Sequence, residues 1–404
     1  MEWNKMKILL VVSELGYRGT PRVVASYAKI LSEVHQVLVW GWKEGGDTVS
    51  TLKRDGIRVI VGTECADEAM SFSPDVLNIH HSGFVNDEVC EIVDKFKKIG
   101  TRCIETNIFG YLDTRLVKML DVSIQISLWD LWQWQKWKGA SLPDIGVYCP
   151  NPVDTESFRP ATDAAISEIR SKWGIPSSGF VIGRAGKTDW NSVVSHLLEA
   201  LSEFDNLFFV SATDYNGKIP DELLSHPRVK LVDRMDSSSS LSLFYSACDI
   251  MLSASGIGES FGLVNAEAMA CGTPVVAVAK PLLGNAQAEV VCNREGGVVI
   301  ADAKYLESAI KILIEDPALY NFVASRARKL IECRYSYAVV KDMLLAIFEN
   351  RLNDDILVRT CDDKYIKKLV ENVEGENSRW LPVAMKLRFN RGFRIVTNKV
   401  KEFI

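Results

Sequence analysis

Ser255-Gly-Ile-Gly-Glu-Ser-Phe-Gly-Leu-Val-Asn-Ala-Glu-Ala-Met-Ala-Cys-Gly-Thr-Pro274 is the stretch from which the fold is read. A strand expected at 249–252 precedes it and an apolar run at 274–279 closes it, so it is the loop and helix between two strands, the helix running from Gly262. Glu259 then lies in the loop. Ser260 and the amides of Phe261, Gly262 and Leu263 stand at the helix N-terminus, and Glu267 lies one to two turns inside. Unpaired amides and the positive helix end favour an anion such as a diphosphate, and Gly262 lets a ligand approach the backbone. A carboxylate accepts hydrogen bonds and donates none, so Glu267 suits the vicinal hydroxyls of a ribose and Glu259 those of a hexose. The bland alternative is that both glutamates solvate the loop and favour a helix start. The flanking strands, the glycines and the Gly272-Thr-Pro274 turn weigh against it.

The same rhythm extends in both directions. Towards the N-terminus, strands are expected at 7–12, 36–40, 58–61, 75–80 and 122–127. A helix is expected over 20–31, with Thr20 as N-cap and Pro21 at the first helical position. A second series has strands at 180–182, 207–210 and 229–232 and helices over 192–204 and 240–247. Uninterrupted apolar runs such as 207–210 and 274–279 suit strands buried on both faces of a parallel sheet, which makes both halves doubly wound α/β. Between the series, residues 149–160 hold three of the 13 prolines and form the expected linker. Helical patterns at 303–314, 319–333 and 336–351 follow. The expected domains are 1–150, 151–335, a helix at 336–353 and a C-terminal extension at 354–404.

Length and composition exclude other classes. The 404 residues allow two or three domains, and 47% apolar with 25% charged residues is ordinary for a folded globular chain. Lys plus Arg total 47 against 52 Asp plus Glu, a net charge of −5 that offers nucleic acid no attractive field. Nine scattered cysteines without a CxxC pair argue against a disulfide framework or zinc site and for a reducing, cytoplasmic compartment. No export signal or run of about 20 apolar residues is visible. The charge is uneven: 379–404 holds seven basic residues and one acid, leaving the preceding chain at (47 − 7) − (52 − 1) = −11. That tail interleaves charge with apolar residues, as membrane-surface segments do, and Pro382 and Gly392 are expected to break it into short pieces. A membrane, a partner holding the acceptor, or the acidic remainder of the chain are its alternative docking sites. Trp129, Trp132, Trp134 and Trp137 wrap about half of one helix, more than a single buried stripe needs, so part of that face is expected to be exposed. Core packing, stacking on a sugar and seating at a membrane interface are its three readings.

At Glu259–Val276 the chain resembles the retaining, nucleotide-sugar-dependent glycosyltransferases of family four, which have the GT-B fold. The family's E-x7-E segment is followed by A-x-A-x-G-x-P-V-V, as here. Asn151-Pro-Val-Asp154 with Phe158 and Pro160 resembles the family's linker, Gly183-Arg184 its donor-phosphate arginine, and 284–289 its G-G-x-P-E loop. The resemblance covers 5–353, closely in the second domain and loosely in the first. It implies two Rossmann-like domains facing across a cleft, with the last helix crossing back onto the first.

The resemblance implies a role for each matching residue. Glu259 contacts the transferred sugar, Glu267 the ribose, and Arg184 the diphosphate, while Arg234 and Met235 lie where the family often meets the base. Lys187 comes three residues after Arg184 where the family has its lysine about five after; a phosphate contact and an exposed loop lysine both fit. In the first domain Gly16-Tyr-Arg-Gly19 replaces a glycine pair, leaving Arg18 either to reach a phosphate or acceptor or to be solvated. Glu105-Thr-Asn107 stands where relatives carry a histidine. His80 and His81 end the preceding strand and either meet the cleft or pack. The implied function is a retaining, metal-independent hexosyltransferase that uses a UDP- or GDP-sugar as donor, needs no cofactor, and glycosylates a glycan or lipid-linked acceptor. A nucleotide-sugar epimerase on the same fold and a silent partner subunit are the alternatives.

Overall fold

The computed structural model describes residues 5–16, 18–186, 188–212, 219–233, 235, 237–377, 379 and 381–389, the side chains of 386–388 excepted. The chain divides into two compact units: Met1–Asp154 with Arg334–Asp362, and Thr155–Cys333 with Asp363–Ile404.

The first unit is built on seven parallel strands, β1 (Lys7–Glu14), β2 (Gln36–Glu44), β3 (Arg58–Val61), β4 (Val76–His81), β5 (Arg102–Asn107), β6 (Val122–Gln125) and β7 (Gly146–Tyr148). Their order is β3-β2-β1-β4-β5-β6-β7. In β1, Ile8, Leu9, Leu10 and Val11 are all fully buried, as a strand covered on both faces requires. The helix Gly19–Ser32 begins two residues earlier than its capping signal suggests: Arg18 is the N-cap and no side chain caps it, so Thr20 is not the cap. Pro21 falls at the third helical position, where its missing N–H still costs nothing because the first four amides have no intrahelical acceptor.

The helix Leu128–Lys138 also departs from expectation. Trp129 and Trp134 are fully buried and Trp132 is 6% exposed, so of the four only Trp137 is half-buried rather than buried. Two surfaces cover the helix. Gly146 of β7 lies beneath Trp134, and on another side Gln135 Nε2 donates to Arg359 O at 2.7 Å and accepts from Cys361 N at 3.2 Å through Oε1. The helix Tyr337–Phe348 belongs to this unit: Tyr337 Oη donates to Ser26 Oγ at 2.7 Å, and Arg102 donates to the terminal carbonyls of Ile347 and Phe348 at 2.8 and 3.1 Å.

The second unit has a six-stranded parallel sheet of β8 (Phe180–Arg184), β9 (Leu207–Ala212), β10 (Val229–Val232), β11 (Ile250–Ser253), β13 (Val275–Val278) and β15 (Gly297–Ile300), ordered β10-β9-β8-β11-β13-β15. A separate two-stranded bridge pairs β12 (Gly258–Glu259) with β14 (Gly284–Asn285). The edge at β15 is closed by Glu374, whose N–H donates to Val299 O at 2.7 Å and whose carbonyl accepts from Ala301 N at 2.9 Å. Pro382 stands at the start of a short helical piece. It is the second residue of the helix Leu381–Arg388, where proline is tolerated. Residues 390–404, most of the basic tail, lie outside the described residues. Among those described, no helix is long and apolar enough to cross a membrane.

Candidate functional site

The quoted stretch follows β11 and folds as a loop containing β12 and the helix Leu263–Ala270. Gly262 is that helix's N-cap at φ 85°, a left-handed conformation that glycine adopts without steric cost, and no side chain caps the helix. A Cβ on Gly262 would lie 3.5 Å from Glu259 Cγ, so the Glu259 side chain runs along the start of the helix. Glu259 is held by its backbone: it pairs with Asn285, and its N–H donates to Gln287 Oε1 at 3.2 Å while Gln287 Nε2 donates to Val278 O at 3.0 Å.

Arg184 ends β8 and is 3% exposed. Its Nε donates to Thr188 Oγ1 and its Nη1 to Ala185 O and to Leu252 O at 3.2 Å. Gly186 lies between it and the first turn of the helix: an added Cβ there would be 4.0 Å from Arg184 Nη2 and 3.9 Å from Val264 Cγ2. The two charged groups also sense each other. Burial pushes the Glu259 carboxyl above the ordinary carboxylate range, and the Arg184 guanidinium partly offsets this. Half-buried Ser260 and Leu263 and buried Phe261 complete the turn.

Glu267 lies one turn further along, 3% exposed, and accepts from Tyr245 Oη at 3.2 Å through Oε2. Glu259, Arg184, Gly262 and the helix start are therefore brought together, with Glu267 on the same helix. Met235 is half-buried after β10; Lys187 and Arg234 lie outside the described residues. Tyr245, Gln287 and Thr188 are missing from the sequence-based set. No spacing joins Tyr245 or Gln287 to the glutamates, because helix packing and the β12–β14 bridge bring them in; Thr188, four residues after Arg184, carried no signal of its own.

In the first unit, Arg18 is exposed and pairs with Glu14 at 3.1 Å, Gly16 O accepts from Thr48 Oγ1 at 3.0 Å, and Gly19 is the exposed first residue of its helix. His80 is buried with its ring 5.0 Å from that of Tyr27, and burial with the adjacent His81 pushes its pKa down to about 3, so it is a neutral packing residue. His81 faces the other way. Its Nδ1 accepts from Gly83 N at 3.2 Å, and its Nε2 donates to Glu105 Oε2 at 2.6 Å. Glu105 also accepts from Ser123 Oγ, which in turn accepts from Gln125 Nε2 at 2.7 Å. Asn107, buried opposite His81, donates to Tyr111 O at 2.6 Å. These strand-end groups thus hold the loops after β4 and β5, and those loops carry a stack of Phe84 on Tyr111 (4.2 Å) and Tyr111 on Trp137 (5.0 Å).

Residues 166–330 match the family model described as Glycosyl transferases group 1. Over 217 residues the chain is 29% identical to the D-inositol 3-phosphate glycosyltransferase of Mycolicibacterium smegmatis, covering 50% of this chain and 46% of that protein. The chain thus spans about half the length of the curated relatives it matches. Anabaena HepE, solved with UDP and glucose, superposes with a TM-score of 0.70 at 17% identity, over 85% of this chain and all of that one. A putative UDP-N-acetylglucosamine 2-epimerase from Listeria monocytogenes gives a TM-score of 0.60 at 11% identity, over 87% and 98% of the two chains.

Proposed function

Because residues 166–330 match the glycosyl transferases group 1 family and the chain carries the GT-B fold, we propose that it transfers a hexose from a nucleoside diphosphate sugar to an acceptor hydroxyl with retention of configuration. The observation that carries this reading is Glu259 lying against the Gly262 helix start, with Arg184 close enough to offset the rise in its pKa. In this reading Glu259 accepts hydrogen bonds from the hexose hydroxyls and Glu267 from the ribose. Arg184 and the amides of Phe261, Gly262 and Leu263 stabilise the diphosphate as the anomeric C–O bond breaks. The acceptor oxygen attacks the same face of the sugar and its proton passes to the leaving phosphate. Lys187 adds a second cation if it turns towards the phosphates, and Arg234 with Met235 meets the base.

Uridine is the first base to test, since HepE was solved with UDP; GDP-sugars come next. The acceptor is a glycan, lipid-linked glycan or other polyol. The basic tail docks the enzyme at a membrane bearing the acceptor. The test is incubation with UDP-, GDP- and ADP-hexoses without acceptor. Slow release of free sugar of unchanged anomeric configuration supports transfer. Interconversion at C2 supports an epimerase, and silence without nucleotide binding supports a non-catalytic partner subunit.

A further inference from the structure

We propose that Tyr245 is a positioning residue for nucleotide recognition: its hydroxyl orients the Glu267 carboxylate towards the ribose. The inference rests on the ribose role given to Glu267 above.

A carboxylate that is 3% exposed has lost nearly all its water and stays charged only where donors replace that water. Tyr245 supplies one such donor. A phenol facing a carboxylate must donate, so its contact of 3.2 Å to Oε2 fixes which oxygen is engaged on that side and hence the carboxylate plane. An orienting group must itself be immobile, and Tyr245 is. Its ring is fully buried against Phe158 and Phe244, with centroids 6.2 and 5.9 Å away, and its carbonyl accepts from Thr273 Oγ1 at 2.7 Å.

The helix that carries it, Ser238–Ser246, is pinned at both ends. The serine run at 237–240 forms a capping box: Ser237 Oγ accepts from Ser240 N and Ser240 Oγ from Ser237 N. Further along, Ser242 Oγ donates to Arg159 O at 2.9 Å and Ser246 Oγ accepts from Ala161 N at 3.0 Å. A phenol–carboxylate contact is thus among those that join the two helices. The direction of Glu267 is set by a residue 22 positions away that touches no nucleotide in this reading.

The experiment is calorimetric titration of the parent, Tyr245→Phe and Glu267→Gln with UDP, GDP and ADP, each beside its 2′-deoxy form. The tightest-binding base serves for the comparison. Tyr245→Phe keeps the ring, so the helix packing survives. The expected result is that it weakens the ribonucleotide about 3- to 10-fold, the scale of one ordinary hydrogen bond, and leaves the 2′-deoxy form unchanged. Equal weakening of both forms means a merely structural tyrosine and overturns the proposal, as does no change in either. If Glu267→Gln also fails to discriminate the two forms, or none of the three nucleotides binds, the ribose role of Glu267 is what fails, and the proposal falls with it.

Discussion

Gly258→Ala tests whether the position of Glu259 matters for turnover. Gly258 sits at φ 72°, where a residue with a Cβ costs about 1–2 kcal/mol. Space is the stronger objection. A Cβ at 258 would lie 1.8 Å from Gly284 O, and reaching an ordinary contact of 3.4 Å requires the strands to part by 3.4 − 1.8 = 1.6 Å. The obstacle is backbone, so no side-chain rotation relieves it. The bridge must open, losing the Gly284 N to Ile257 O hydrogen bond, for a total of about 2–3 kcal/mol. The six-stranded sheet does not include this bridge, so the unit stays folded and its melting temperature drops by about 5–10 °C. Glu259, the next residue, is carried more than 1 Å off, a displacement that costs about 100-fold in rate. Donor-sugar hydrolysis should fall on that scale while nucleoside diphosphate affinity, assigned to the helix and Glu267, holds within about threefold. A folded alanine variant hydrolysing donor within about threefold of the parent refutes the reasoning.

The other predictions concern stability and location. The Glu259 carboxyl is raised in the folded state, so the folded chain holds its proton above the unfolded pKa of about 4.3, and stability falls as pH rises from there through the raised value. Glu259→Gln should therefore melt above the parent at pH 7, with the gap closing below about pH 4; a parent that melts higher at neutral pH contradicts this. Arg170 holds the half-buried Asp249 at 2.9 Å, and burial keeps that carboxyl's pKa raised even so. Arg170→Ala should cost about 3–5 kcal/mol in urea unfolding, and adding Asp249→Asn should recover part of it; a double variant less stable than the single one sinks the argument. A chain ending at Glu376 should float less with anionic liposomes at low salt than the full chain, and equal flotation removes the membrane role of the tail.

Much of this was legible because apolar runs and glycine-rich turns speak for themselves. Residues 58–61 and 229–232 are strands with the expected bounds, and the helix begins at Leu263 with Gly262 as its cap. What stayed hidden was mainly polar burial. β5 carries Glu105, Thr106 and Asn107, all at most 2% exposed, so its pattern does not read as a core strand. The tryptophan helix misled because one-face periodicity assumes one covered face, while two surfaces cover it. Gln287 and Tyr245 lay beyond sequence reasoning because each reaches its glutamate only after separate elements pack. The cap of the first helix failed for a simpler reason: threonine preference is a tendency, and Arg18 takes the position without a side-chain bond.

Calorimetric titration of the preferred nucleoside diphosphate into the parent, Glu267→Ala and Glu259→Ala tests the central claim, that two carboxylates on one loop and helix have separate roles. The account predicts that Glu267→Ala weakens binding by at least about tenfold, the scale of a charge-assisted hydrogen bond, while Glu259→Ala binds like the parent and loses only turnover. Equal losses of affinity in the two variants, or none in either, would contradict it.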